Sequence, residues 1–147
     1  MKKFKNRIIL GYSLLLGLII LLPASCKKTD DVIPFVTVNE YLNLSLPSYL
    51  PLTIVNGWVY YQGAGNKGLI VVNVDGVNFA AYDRTCTFDP AENSSIVQVI
   101  TNNVIAIDSI CGSKFSILDG SIINGPAVQS LKRYQTSVSN NVLHIYN

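Results

Sequence analysis

Few of the 147 side chains can do more than pack or hydrogen-bond. The chain has three cysteines, Cys26, Cys86 and Cys111, and one histidine, His144. Thiolates attack electrophiles, exchange disulfides and bind soft metals, so the cysteines are the first residues to weigh. His144 has no nucleophile near it in sequence, and no Ser/His/Asp or Cys/His pairing suggests catalysis. No catalytic residue is expected, and no enzyme. Gly63, Gly65 and Gly68 lie between two strand-like runs with no helix or Lys-Ser/Thr after them, which predicts a hairpin loop and not a phosphate cradle. Asn93-Ser94-Ser95 has the form of a glycosylation sequon. Trp58, Tyr60 and Tyr61 are a candidate ligand-binding group, although strand alternation exposes only one face and puts part of the group in the core.

Cys26 is set apart by what precedes it. Lys2, Lys3, Lys5 and Arg7 form a basic start, and Ile8 to Leu22 is an uncharged run. Fifteen helical residues at about 1.5 Å each fall short of a hydrocarbon core of roughly 30 Å. That length suits the apolar region of a signal peptide over residues 1–25. Ala24 and Ser25 lead into Cys26 in a pattern that resembles a lipobox, with Pro23 where the pattern has Leu. The expectation is a lipidated Cys26, a polar tether over 26–34, and a folded domain over 35–147. Each buried CH₂ of an acyl chain contributes about 0.8 kcal/mol, so several chains hold a protein at a membrane. The expected location is the cell envelope, at the outer membrane on its periplasmic face or at the cell surface. Loss of residues 1–25 leaves 122 residues with seven basic and nine acidic side chains, net −2, in place of +2. That balance argues against nucleic acid as a partner. It also leaves Cys86 and Cys111 as an even pair in an exported protein, where disulfides persist.

The mature chain reads as β throughout. Phe35 to Val38 and Tyr41 to Leu46 alternate apolar and polar residues, and Trp58 to Tyr61 reads as a further strand. Leu69 to Val74 and Val77 to Tyr82 flank Asp75-Gly76, which predicts a two-residue hairpin. Ile96 to Ile100 and Val104 to Ile107 are joined across residues 101–103. Lys114 to Leu118, Tyr134 to Val138 and Val142 to Tyr146 follow, with Asn140-Asn141 suited to a tight turn. Short strands with frequent turn signals predict an all-β domain, a small antiparallel barrel or sandwich.

Residues 82–137 carry a family resemblance. Gly112-Ser113-Lys114-Phe115, then Gly120, then Gly125-Pro126-Ala127, then Leu131 and Tyr134, stand in order as in the Rieske iron–sulfur domain. The chain as a whole resembles degenerate, cluster-lacking Rieske-like lipoproteins of Bacteroidetes. Intact Rieske domains place Cys-x-His in a first loop and Cys-x-x-His-Gly-Ser-x-Phe in a second, and hold a 2Fe–2S cluster on two thiolates and two imidazoles. The resemblance implies a barrel or sandwich with a cluster-site subdomain. It puts Cys86 at the first thiolate position, Phe88 at the first imidazole, Asp108 at the second thiolate and Cys111 at the second imidazole. Ser113 falls where a hydroxyl tunes the cluster, and here is expected to serve its own loop. Tyr134 matches a cluster-adjacent tyrosine and is expected to pack. One ligand in four is kept in kind, so no cluster and no other metal is expected.

Because the two Rieske loops face each other, the resemblance further implies a Cys86–Cys111 disulfide in the vacated site. It would close 26 residues and contribute roughly 3–4 kcal/mol on the chain-entropy model. Two buried free thiols are the alternative. The expected function is a lipid-anchored, non-redox structural or interaction module of the cell envelope, with a protein or glycan partner that the sequence does not identify. Two other readings stay open: a 2Fe–2S electron carrier with atypical ligation, and a dithiol/disulfide redox protein using Cys86 and Cys111.

Overall fold

The computed structural model describes residues 33–101 and 104–147. The expected signal peptide, Cys26 and all of the expected tether but its last two residues lie outside the described residues. So do two residues of the turn expected over 101–103.

The fold is all-β, as expected. The strands are β1 (Asn39–Asn43), β2 (Trp58–Tyr61), β3 (Leu69–Asn73), β4 (Phe79–Asp83), β5 (Val97–Val99), β6 (Ile105–Asp108), β7 (Lys114–Ser116), β8 (Ile122–Asn124), β9 (Arg133–Ser139) and β10 (Val142–Tyr146). A 3-10 helix, Pro47–Thr53, follows β1. Six strands form one sheet in the order β1-β10-β9-β4-β3-β2, and four form a second, β5-β6-β7-β8. Neighbouring strands run antiparallel.

Strands β3 and β4 explain how the two sheets are held. All ten of their residues are buried. Alternate side chains leave a strand on opposite faces. Leu69, Val71, Phe79 and Ala81 therefore join one core with Leu42, Tyr134, Leu143 and Ile145. Ile70, Val72, Ala80 and Tyr82 join a second with Val97, Ala106, Phe115 and Ile117. The continuous apolar run Leu69-Ile70-Val71-Val72 is the signature of a strand covered on both faces. Cys86 belongs to the second core, which the small sheet covers.

The expected Asn140-Asn141 turn is present. Val142 pairs with Ser139, and both asparagines take positive φ, 51° and 61°. The two-residue turn at Asp75-Gly76 is corrected. Asn73 pairs with Phe79 and the Val74 N–H donates to the Asn78 carbonyl at 2.8 Å, so the loop is Asp75 to Val77. The Asp75 carboxylate accepts the Val77 and Asn78 N–H groups, and Gly76 supplies the positive φ of 94°. That side-chain-closed turn takes one residue more than the tight form. Phe35 to Val38 is also corrected. The segment joins no sheet, and is pinned by Asn147, whose side chain donates to the Val36 carbonyl and accepts the Val38 N–H.

Candidate metal and dithiol site

Two loops meet at one edge of the second core. The first follows β4 and runs to β5, with a bridge between Thr85 and Ile96 holding its two limbs together. Cys86 follows the bridge and is fully buried. The far limb is fastened by Lys67, whose ammonium donates to the Glu92 and Ser95 carbonyls. Thr87 fixes the loop from the other side, donating to the Gln129 carbonyl at 2.6 Å. Phe88, two residues past the thiol, is 46% exposed.

The second loop joins β6 to β7. Asp108 ends β6 fully buried, Ser109 and Ile110 are exposed, and Cys111 is half-buried. The turn closes through the Gly112 N–H, which donates to the Asp108 carbonyl at 2.8 Å, and the Asp108 N–H, which donates to the Ser113 carbonyl at 3.0 Å. Gly112 has φ +79°, a conformation that a side chain disfavours. The Ile110 N–H donates to Asp108 Oδ1 at 2.7 Å, and the Ser95 hydroxyl of the first loop donates to Oδ2. Ser113 is buried beneath the turn. Its Oγ accepts the Cys111 thiol at 3.1 Å and the Ala127 N–H at 3.0 Å, so it serves the loops as expected.

Cys86 Sγ and Cys111 Sγ stand 3.6 Å apart, in contact and not bonded. With an Asp108 carboxylate oxygen they form a triad of donor atoms, all within 4.8 Å of one another. Burial pushes the Cys86 thiol up to about 12, and its hydrogen bonds with Asp108 and Cys111 add to this, against a bond from the Phe88 N–H. Burial also tends to raise Asp108. The donors Ser95, Ile110, Cys86 and Cys111 outweigh it and hold the carboxyl below its usual range. The arrangement is a carboxylate kept ionised beside two thiols. It can exchange protons, close a disulfide or take up a cation.

Other expected residues fall elsewhere. His144 lies on β10, stacked between Tyr41 and Tyr146 with ring centroids at 4.2 and 4.6 Å, and within 2.8 Å of Asn39 Oδ1. Tyr134 packs, as expected, and its hydroxyl donates to Asp83 Oδ2 at 2.9 Å. The three aromatics of β2 are committed to packing. Trp58 and Tyr60 lie against the second core, with the Arg84 guanidinium 4.0 Å above the Tyr60 ring, while Tyr61 lies against the first core and donates to Glu40. Sequence reasoning missed Ser95, noticed only as the end of a sequon, and the fully buried Asp83. The signal for Asp83 was an acid closing an apolar strand two residues before a threonine.

A six-stranded sheet, a four-stranded sheet and two facing loops at their shared core define a Rieske-like all-β domain. The cyanobacterial plasma membrane Rieske protein PetC3 from Synechocystis PCC 6803 is similar in structure, with a TM-score of 0.51 and 26% sequence identity over 62% of this chain and 87% of that one. No protein-family model matches the chain, and no curated protein does. Among the described residues, no helix is long and apolar enough to cross a membrane.

Proposed function

We propose that this Rieske-like domain does not carry a 2Fe–2S cluster and acts as a non-enzymatic structural or interaction module of the cell envelope. In this reading it is anchored through a lipidated Cys26 and directs its folded part at a protein or glycan partner. The supporting observation is the donor set. A Rieske cluster takes two imidazoles on one iron. Here Phe88 and Cys111 stand in the imidazole places and a carboxylate in one thiolate place. The single histidine, His144, is engaged on β10 with Asn39 and two tyrosine rings. The residues do not fit the cluster.

In this reading the Cys86–Cys111 pair replaces the cluster as the link between the loops. Oxidation closes it to a disulfide, with loss of two thiol protons and two electrons to an external disulfide or quinone-type oxidant, as serves exported proteins. Two measurements test the proposal. Protein purified without oxygen is expected to hold no iron or acid-labile sulfide and to be colourless; a stoichiometric two irons with visible absorbance overturns it. Fatty-acid labelling is expected on the full chain and lost in Cys26→Ser; labelling that survives the substitution removes the anchor.

A further inference from the structure

We propose that, when reduced, Cys86, Cys111 and Asp108 hold one divalent cation of the zinc type. This rests on the cluster-free reading and adds a ligand to the same site.

The first support is local. Asp108 and Cys111 are separated by two residues on a closed turn, the spacing of a Cys-x₂-Cys half-site in structural zinc centres. The turn aims both side chains to one side, and Gly112 at φ +79° lets the chain double back. Amide groups already point at the ligand atoms. Ile110 N–H meets Asp108 Oδ1 at 2.7 Å, and Ser113 N–H meets Cys111 Sγ at 3.4 Å. Such bonds orient metal ligands and disperse their charge.

The second support is metric. A tetrahedral cation bound at about 2.3 Å to each of two sulfurs holds them about 3.8 Å apart. The observed separation is 3.6 Å. A disulfide needs about 2.05 Å, so closing the bond moves the loops by more than binding a cation does. The carboxylate oxygen lies within 4.8 Å of both sulfurs, and a shared cation at about 2.3 Å from sulfur and roughly 2 Å from oxygen would hold them about 3.5 Å apart.

The third support is chemical. Two thiolates with one carboxylate favour Zn²⁺ or Fe²⁺ over Mg²⁺ and Ca²⁺, which prefer all-oxygen shells. Ligation displaces the two thiol protons to solvent. Ser95 holds Asp108 Oδ2 and Ser113 supports Cys111, so both have neighbours in place. Half-burial of Cys111 leaves a fourth position that a water can fill. Oxidation of the pair to a disulfide abolishes the site, so metal uptake and disulfide formation exclude each other.

The test uses the full chain, reduced with a phosphine and freed of metal. Titration with Zn²⁺ by calorimetry, and with Co²⁺ by absorbance, is expected to give one metal per chain. The Co²⁺ form is expected to show tetrahedral visible bands with thiolate charge transfer. Cys111→Ser and Asp108→Asn lose the metal. Asp108→Cys keeps it and binds more tightly, because a softer ligand replaces an oxygen. Ser113→Ala weakens binding about 10–100-fold, the range for loss of a group that supports a ligand. Far-UV circular dichroism confirms that each variant is folded. A folded, reduced wild-type chain that binds neither metal overturns the proposal, as does Asp108→Asn or Cys111→Ser binding like wild type. If the wild type fails to bind Zn²⁺ but stays iron-free, the cluster-free reading survives alone. If anaerobic reconstitution instead loads two irons with sulfide, both fall.

Discussion

Asp83 and Asp108 are both fully buried, both end a strand and both accept a hydroxyl hydrogen bond, yet they sit in different kinds of place. Asp83 closes β4 of the large sheet. Asn66 N–H donates to it at 2.7 Å, Thr85 N–H and hydroxyl at 2.9 and 2.6 Å, and the Tyr134 hydroxyl at 2.9 Å. Each of those donors keeps its proton near neutral pH. The result is a closed knot that ties the first loop to β9. Asp108 closes β6 of the small sheet, and two thiols stand beside it. A thiol gives up its proton to solvent when it is oxidised or binds a metal. The difference teaches that a buried carboxylate marks a functional site only when its neighbours have something to exchange.

The comparison breaks most sharply at Asp83. Asp83→Ala leaves four donors without an acceptor, three of them in a buried setting. Each buried donor left without a partner costs about 1–3 kcal/mol. Denaturant unfolding is expected to show that loss, with metal binding by the residual folded fraction retained. A change below about 1 kcal/mol would mean that water reaches the knot.

The large-sheet half of this comparison was legible in the sequence and the site half only in part. The apolar runs of β3 and β4 answer to cores on both faces and the alternation of β10 to a core on one, so the residue pattern records them directly. Asn140-Asn141 and Gly112-Ser113 are visible because backbone conformation selects those residues locally. The Asp75 turn was misjudged by one residue because a side chain, not the backbone, closes it. Strand β8 was missed because it is three residues long and mostly exposed. The Ser95–Asp108 bond joins residues from two loops, 13 positions apart, and no local rule encodes such a pairing. The resemblance located Asp108 as a lost ligand. Only the fold shows it as a carboxylate with donors on both oxygens.

A second prediction sharpens the contrast through pH. Cys86 is raised by burial from its ordinary 9.0 to about 12, so the folded chain keeps a proton that the unfolded chain gives up. The folded state then binds more protons, and stability falls as pH rises through that interval. The contribution is fully present below about pH 9 and lost by about pH 12. Tyr61, raised to about 12 mainly by its bond to Glu40, adds its own loss at the top of that range. In reduced protein, the denaturation midpoint is expected to decline from about pH 9, and Cys86→Ala is expected to delay the onset. A wild-type midpoint that stays flat from pH 9 to 11 would contradict the burial of that thiol. The knot at Asp83 has no thiol, so Asp83 variants are expected to keep the early decline.

The smallest expected effect falls at the rim of the site. Phe88, which the resemblance alone sets at the first imidazole place, is 46% exposed and has no place in either buried core. Exposed substitutions away from networks move stability by within about 0.5 kcal/mol. Phe88→His is expected to fall in that range, which thermal unfolding would check. It returns one imidazole to the first loop while Cys111 still fills the place of the second, so two irons still lack a matching donor set. The variant is therefore expected to stay free of 2Fe–2S absorbance after anaerobic iron and sulfide treatment. If it gained the cluster, the barrier to iron–sulfur binding would reside in that single side chain, and the carboxylate at Asp108 would have to serve as a cluster ligand.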